Sequence, residues 1–289
     1  MKPPVYELIN QAEGGWWYRG RSAAVRAMIH RAGVVPRGRA LDYGAGFGAM
    51  REIFSGYKSV DALEVYAEAR MACATRGYEN LFANADEMAA SSETYGCVGA
   101  FDVIEHIEDD SRFLAQIFSK LDPEGVLIAT VPAHQFLFGP YDEAAKHFRR
   151  YQMDELRKML AKEGFEVLTM SYWNMSLFPV AALLRLLRTR TGSSLSPSPA
   201  TDKILSWVVL FEATLLRFLP LPMGLSIVFV AKTTQTTGAL PGNPQGNGRS
   251  APVPAREGIT TPAARAIPIG ESGDPIAASC STLARCAPE

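Results

Sequence analysis

Three glycines at alternate positions, Gly44, Gly46 and Gly48, stand in ALDYGAGFGAM (residues 40–50), directly after a short apolar run and just beyond Asp42. A glycine turn of this kind lets a ligand approach the backbone, and where it opens a helix it favours the polar end of a nucleotide-like molecule. The dinucleotide fingerprint spaces its glycines G-x-G-x-x-G so that a pyrophosphate can sit on the helix N-terminus. Here the third glycine comes one residue early, which argues against NAD and an NAD-dependent oxidoreductase. The next strand ends in ALEV, which places Glu64 about twenty residues beyond the first glycine, where a carboxylate takes both hydroxyls of an adenosine ribose. Asp61 is its rival, but it lies earlier in the same run, away from the carboxyl end. A second group of reactive types fills VPAHQFLFGPYDEAAKHFRRYQMDEL: His134, Tyr141, Asp142, His147, Arg149, Arg150 and Tyr151. Two adjacent arginines between aromatics suit a bidentate grip on a phosphate or carboxylate, or else form a solvated pair before a helix.

The elements that must hold these residues alternate. RSAAVRAMIHRAG reads as a helix, RALDY as a strand, AMREIFSGY as a helix, SVDALEV as a strand, and YAEARMACATRG as a helix ended by Gly77. NLFANA and CVGAFDV are strands, DDSRFLAQIFSKLDPEG is a helix with acids at its start, and VLIATVP is a continuous buried strand. The alternation of strands and helices predicts an α/β, Rossmann-like, doubly wound sheet, with the glycine turn at the carboxyl end of its first strand.

Composition bounds the partners. The 289 residues are 47% hydrophobic with a net charge of −1, so no bulk field favours nucleic acid. The first twenty residues lack the apolar run of a signal peptide, which points to the cytosol. Cys73, Cys97, Cys280 and Cys286 have no paired metal-ligand spacing, and free thiols with no metal are expected. From residue 233 to 289 the chain has no aromatic residue and is rich in Pro, Gly, Ala, Ser and Thr. It is expected to be a disordered tail to a domain spanning residues 1–232.

The G-x-G-x-G turn preceded by Asp42 resembles motif I of the class I S-adenosylmethionine-dependent methyltransferases. FDVIEHIEDD resembles the D-V-x-E-H segment of their quinone-type and small-molecule members. EGGWWYRGR is similar to the N-terminal helix region of bacterial methyltransferase-domain proteins. The resemblance implies seven strands, mostly parallel, with GLSIVFVAK returning as an antiparallel last strand after MDELRKMLAKEGFEVLTMSYW. It implies S-adenosyl-L-methionine as cofactor, with Asp42 ordering the turn or accepting from the donor ammonium. FANADEMA would border the adenine, with Asn84 or Asp86 receiving its amino group or capping a helix. Asp102 would face the methionine end or the acceptor. His106 is either a general base for an acceptor hydroxyl or an orienting partner of Glu105. Trp16, Trp17 and Tyr18 either cover the donor site or pack a terminal helix.

The acceptor is expected to be a small molecule or lipid-like, with His134, Tyr141, His147, Arg149 and Arg150 as candidate binding residues. Residues 174–224 form an apolar insertion, with Arg185, Arg188 and Arg190 at the end of its first half. It reads as an acceptor lid, a core-facing helical pair or an interfacial helix giving peripheral contact with the inner face of the membrane. Glu212, Arg217, Pro220 and Pro222 interrupt it before it could span a bilayer. A non-catalytic binding or membrane-associated scaffold on the same fold is the alternative to an enzyme.

Overall fold

The computed structural model describes residues 14–186 and 198–234. Its strands are β1 (Arg39–Tyr43), β2 (Ser59–Leu63), β3 (Leu81–Phe82), β4 (Tyr95–Phe101), β5 (Leu121–Pro132), β6 (Phe165–Trp173) and β7 (Ser226–Thr233). They form one sheet in the order β3-β2-β1-β4-β5-β7-β6. The first five pair in parallel, and β7 runs antiparallel to both β5 and β6. The expected seven-stranded Rossmann-like sheet with an antiparallel last strand is what the chain forms. Every residue of β2 is buried, as in a strand covered on both faces, and its one charge, Asp61, is held by Arg39 at 2.7 Å.

Eight helices of the described residues cover the sheet or its ends: α1 (Trp16–Ala32), α2 (Ala67–Thr75), α3 (Ala85–Ala90), α4 (Asp110–Lys120), α5 (Pro140–Ala144), α6 (Met153–Lys162), α7 (Phe178–Leu186) and α8 (Pro199–Leu216). Asp109 starts α4 by accepting from the Arg112 amide at 2.9 Å, and Phe113, Leu114 and Ile117 then turn inward on one stripe. With Leu156 and Leu160 of α6 they cover one face of the sheet, against Leu41, Leu63, Val98 and Leu127. The other face, with Ala40, Val60, Ile128 and Val228, is covered by α1 and α8 through Val25, Met28, Val209 and Leu216.

Three local expectations change. AMREIFSGY makes only a 3-10 turn, Arg51–Phe54, because the chain leaves Gly48 at φ +88° and must reach β2 within a few residues. NLFANA gives a two-residue strand, since Asn84 leaves it to cap α3. The strand of CVGAFDV begins earlier, at Tyr95, and stops at Phe101, because Asp102 adopts φ +58°.

The apolar insertion forms α7 and α8. Glu212 of α8 is buried and accepts from the Met175 amide at 3.0 Å and from the Ser176 amide, which fixes where the chain leaves β6. Helices α1 and α8 touch closely: a Cβ at Gly20 would lie 2.6 Å from Val209 Cγ2, and Arg19 pairs with Asp202 and bonds Ser206 at 2.7 Å. Trp17 packs on Trp173 with ring centroids 4.8 Å apart, and Trp16 meets Trp17 edge-on, so these aromatics anchor α1. Cys73 and Cys97 are buried and outside any disulfide. Thr233 is the last residue of β7, so the tail expected from residue 233 does not begin there; Cys280, Cys286, Arg188, Arg190 and residues 235–289 of that tail lie outside the described residues.

Candidate donor site and acceptor side

The glycine turn hangs from β2. The amides of Gly44 and Ala45 both donate to the Leu63 carbonyl, at 2.8 and 3.1 Å. Gly44, Gly46 and Gly48 have φ of +75°, +57° and +88°, a region that other residues enter only with strain. Glu64 follows at once. Its carboxylate accepts from the Gly46 amide at 2.8 Å and the Tyr66 amide at 2.9 Å, so the two motifs read from sequence are one hydrogen-bonded unit. Burial raises the Glu64 carboxyl above its ordinary range, opposed by these two amides. Asp61 is held away from the turn by its own partners, Arg39 at 2.7 Å, Tyr95 at 3.1 Å and Asn80, and it ties β2 to β1, to β4 and to the residue before β3.

Asp42 is buried and accepts from the Tyr78 hydroxyl at 2.6 Å. Burial pushes its carboxyl up to about 6, against the pull of Tyr78 and the Arg21 charge. Arg21 of α1 is itself buried and pairs with Asp102 at 2.8 Å, and the Thr130 hydroxyl donates to the other Asp102 oxygen at 2.8 Å. Asp42, Arg21 and Asp102 thus form a charged line across the carboxyl ends of β1 and β4. Arg21 and Tyr78 were not picked out from sequence. The available signal was a charge at position 21 on the stripe later occupied by Ala24, Val25 and Met28.

Asn84 caps α3: its side chain accepts from the Glu87 amide at 2.9 Å, while Glu87 accepts from the Ala83 amide. Asp86, in the first turn of α3, is exposed.

On the acceptor side, the loop after β5 folds back on itself. The His134 amide donates to the Tyr151 carbonyl and the Tyr151 amide to the Pro132 carbonyl, at 2.9 and 2.8 Å. The His134 ring stacks on Tyr172 at 5.0 Å and meets Phe178 of α7 at 5.2 Å, and burial lowers its basicity. The insertion therefore reaches this loop. Tyr141 keeps 40% of its surface exposed. Both arginines have partners within the chain: Arg149 binds Asp110 of α4 at 2.8 Å and the Glu108 carbonyl, and Arg150 is buried against Asp142 at 2.8 Å. Arg150 closes the loop from inside, while Arg149 keeps 34% of its side chain open to solvent.

Glu105 and His106 follow β4 and are fully buried, and His147 of the loop joins them, its ring 4.6 Å from that of His106. Desolvation, with His147 beside it, pushes the His106 imidazole down to about 4, so it is neutral at pH 7. Desolvation and the nearby Asp102 hold the Glu105 carboxyl well above its usual range. A base needs hydrogen-bond reach to the proton it takes, and the enclosed His106 ring exposes no nitrogen to an acceptor.

A doubly wound sheet with a glycine turn and an acid at adjacent strand ends defines a nucleotide-type donor-binding fold. Residues 17–170 match the methyltransferase domain family, and the chain belongs to this family of class I methyltransferases. It is 28% identical over 164 residues to a Mycolicibacterium smegmatis protein described as a "Probable S-adenosylmethionine-dependent methyltransferase". That match covers 54% of this chain and 62% of the relative, so the chain spans less than two thirds of the relative's length. Among solved structures, a chain of the Haloferax volcanii complex containing the Trm112 methyltransferase activator superposes with a TM-score of 0.51 at 16% identity. The superposition covers 79% of this chain and 93% of that one, and it bears on the fold alone.

Proposed function

We propose that this protein transfers the methyl group of S-adenosylmethionine to a small-molecule or lipid-like acceptor. The observation that carries the reading is the direct bond between the Gly46 amide and the Glu64 carboxylate, which sets a ribose acceptor beside a turn that a donor can approach. Asp42 and the Arg21–Asp102 pair extend the polar surface toward the methionine end. The sulfonium is already an activated electrophile, so the protein's task is to hold the acceptor nucleophile in line with the methyl carbon and to exclude water. When bound, the donor would supply its methyl as the electrophile and leave as S-adenosylhomocysteine, and the acceptor's proton would pass to water. The loop around Tyr141 and the helices α7 and α8 border the acceptor's approach.

Calorimetry with S-adenosylmethionine, S-adenosylhomocysteine and NAD tests the donor. The first two are expected to bind and NAD is not. Glu64→Ala, folded as judged by its Tm, is expected to weaken donor binding at least tenfold, since one charged hydrogen-bond partner is worth about 1.5–3 kcal/mol. Unchanged affinity would overturn the assignment of Glu64. Transfer of labelled methyl into a metabolite and lipid extract then separates an enzyme from a scaffold that binds donor without turnover.

The acceptor proposal extends to a lipid surface, with the protein working at the cytosolic face of a membrane. Its support is the outward face of α8, where Ile204, Trp207 and Phe211 are exposed at helical spacing, with Phe218 just beyond. Among the described residues no helix is long and apolar enough to cross a membrane. Contact of this kind is peripheral.

A further inference from the structure

The cluster formed by Glu105, His106 and His147 is not used by the donor site, and its polar atoms are left in an unusual condition. Glu105 is 1% exposed and His106 is 0% exposed, yet Glu105 Oε2 and both ring nitrogens of His106 meet no hydrogen-bond partner. The Lys146 backbone lies near the His106 ring, outside hydrogen-bonding geometry. Buried polar atoms are almost always paired, because an unpaired one forfeits its hydration, and a single partner could meet Glu105 Oε2 together with one of the two His106 nitrogens, which point away from each other.

One potential ligand atom from each of the three residues lies within 4.8 Å of the other two. Around a single first-row ion, nitrogen and carboxylate oxygen at about 2.0–2.2 Å sit roughly 3–4 Å from one another, so small side-chain rotations close the set. Two imidazoles and one carboxylate suit zinc and its neighbours rather than calcium or magnesium, which prefer all-oxygen shells.

The surroundings of His147 sharpen the argument. Its Nδ1 is 3.0 Å from Asp142 Oδ1, which makes Nδ1 the protonated nitrogen and leaves the lone pair on Nε2. Asp142 is in turn fixed by Arg150 at 2.8 Å and by the Gly139 amide at 3.0 Å. A carboxylate orienting a histidine through its far nitrogen is the arrangement that supports metal-bound imidazoles. The loop is also locked to the strand end beside the cluster, where the Phe148 amide donates to the Glu105 carbonyl at 2.8 Å.

We propose that Glu105, His106 and the Nε2 of His147 bind a divalent transition ion of the zinc class, which pins the loop after β5 to the turn after β4. Three protein ligands leave a further coordination position for water. Glu105 and His106 are adjacent in the chain, and His147 arrives from the far side of β5. The ion thereby joins two segments that the sheet alone does not hold together, and the inference stands independently of methyl transfer.

Equilibrium dialysis of the whole protein against Zn2+, followed by elemental analysis, tests the site, with Co2+ substitution as a spectroscopic reporter. Wild type is expected to hold one ion per chain, to give the intense visible bands of a four-coordinate cobalt, and to gain roughly 5–10 °C in Tm at a hundredfold excess over Kd. His147→Gln and Glu105→Gln are expected to weaken zinc binding at least tenfold, and Asp142→Asn by ten- to a hundredfold, whereas His30→Gln should leave it unchanged. If Glu105→Gln fails to fold, the half-buried His147 variant and the cobalt spectrum of wild type still decide. Wild type holding no ion, or a stoichiometry that survives in His147→Gln with the same Kd and spectrum, would overturn the site. Donor calorimetry on EDTA-treated protein reads the methyltransferase assignment separately.

Discussion

The three glycines are alike in sequence but not in surroundings. A Cβ at Gly44 would stand 2.6 Å from Val103 Cγ2, while one at Gly46 meets nothing within 4 Å. Both positions carry the left-handed strain of about 1–2 kcal/mol for a residue with a side chain, but only Gly44 adds a steric clash. Gly44→Ala is therefore expected to lower Tm by more than Gly46→Ala, which differential scanning calorimetry reads. Gly46→Ala instead projects its methyl into the open side of the turn and should raise the donor Kd at least tenfold with the smaller loss of Tm. Asp42 supplies a second prediction. Raised to about 6 by burial, it is protonated below that pH and ionised above it. Donor binding that uses the carboxylate should weaken as pH falls through about 6, approaching tenfold per unit, and Asp42→Asn should bind more weakly without that dependence. Its contribution to folding has the other sign, present below the ordinary value of 3.8 and lost as pH rises through about 6, so unfolding cannot mimic the effect. Calorimetry from pH 5 to 8 measures it. Gly44, Gly46, Gly48 and Glu64 were legible in sequence because turn geometry and spacing carry them. Arg21, Tyr78 and the meeting of His147 with Glu105 were not, since each is brought in from a distant segment by the packing of other elements.

Most elements were readable from their apolar periods and stops. α1 ends at Gly33 and the Gly164 turn leads into β6, both with positive φ, and the buried strands β1, β2 and β5 announced themselves as apolar runs. The elements that differed are cut short locally, β3 by the cap that Asn84 gives α3, a role readable at that residue, and β4 by the positive φ of Asp102, which its sequence did not announce. The insertion's helical character was legible, but its partner was not: Gly20 against Val209 and Arg19 against Asp202 set α8 on α1, nearly two hundred residues away. That docking leaves Trp207 72% and Phe211 65% exposed, with Lys203 and Arg217 also exposed toward the ends of the same helix. Apolar anchors flanked by cations should bind anionic vesicles in a salt-sensitive way. In flotation at low salt, wild type is expected to rise with anionic liposomes, and a Trp207→Ser, Phe211→Ser variant to rise at least fivefold less. Wild type left wholly at the bottom would remove the membrane reading and leave α8 as a wall of the acceptor side.

At the scale of the molecule, the alternation of strands and helices was enough to state a doubly wound sheet, and the family's seventh strand was expected to return antiparallel. The pairing that places it there is a matter of long-range register, with Ile128 opposite Val230 and Thr169 opposite the same residue from the other side. This interior position of β7 has a consequence in time. β6 borders no strand except β7, so when the ribosome has released Trp173 the nascent chain has nothing in the sheet for it to pair with. The insertion must be made, and Ser226–Thr233 must follow it, before β5 gains its second neighbour and β6 its first. Until then β5 presents an open edge in a half-built protein, the condition in which edge strands recruit wrong partners. Helix α1, made before the strands, likewise waits for α8 before the side that carries Gly20 is covered.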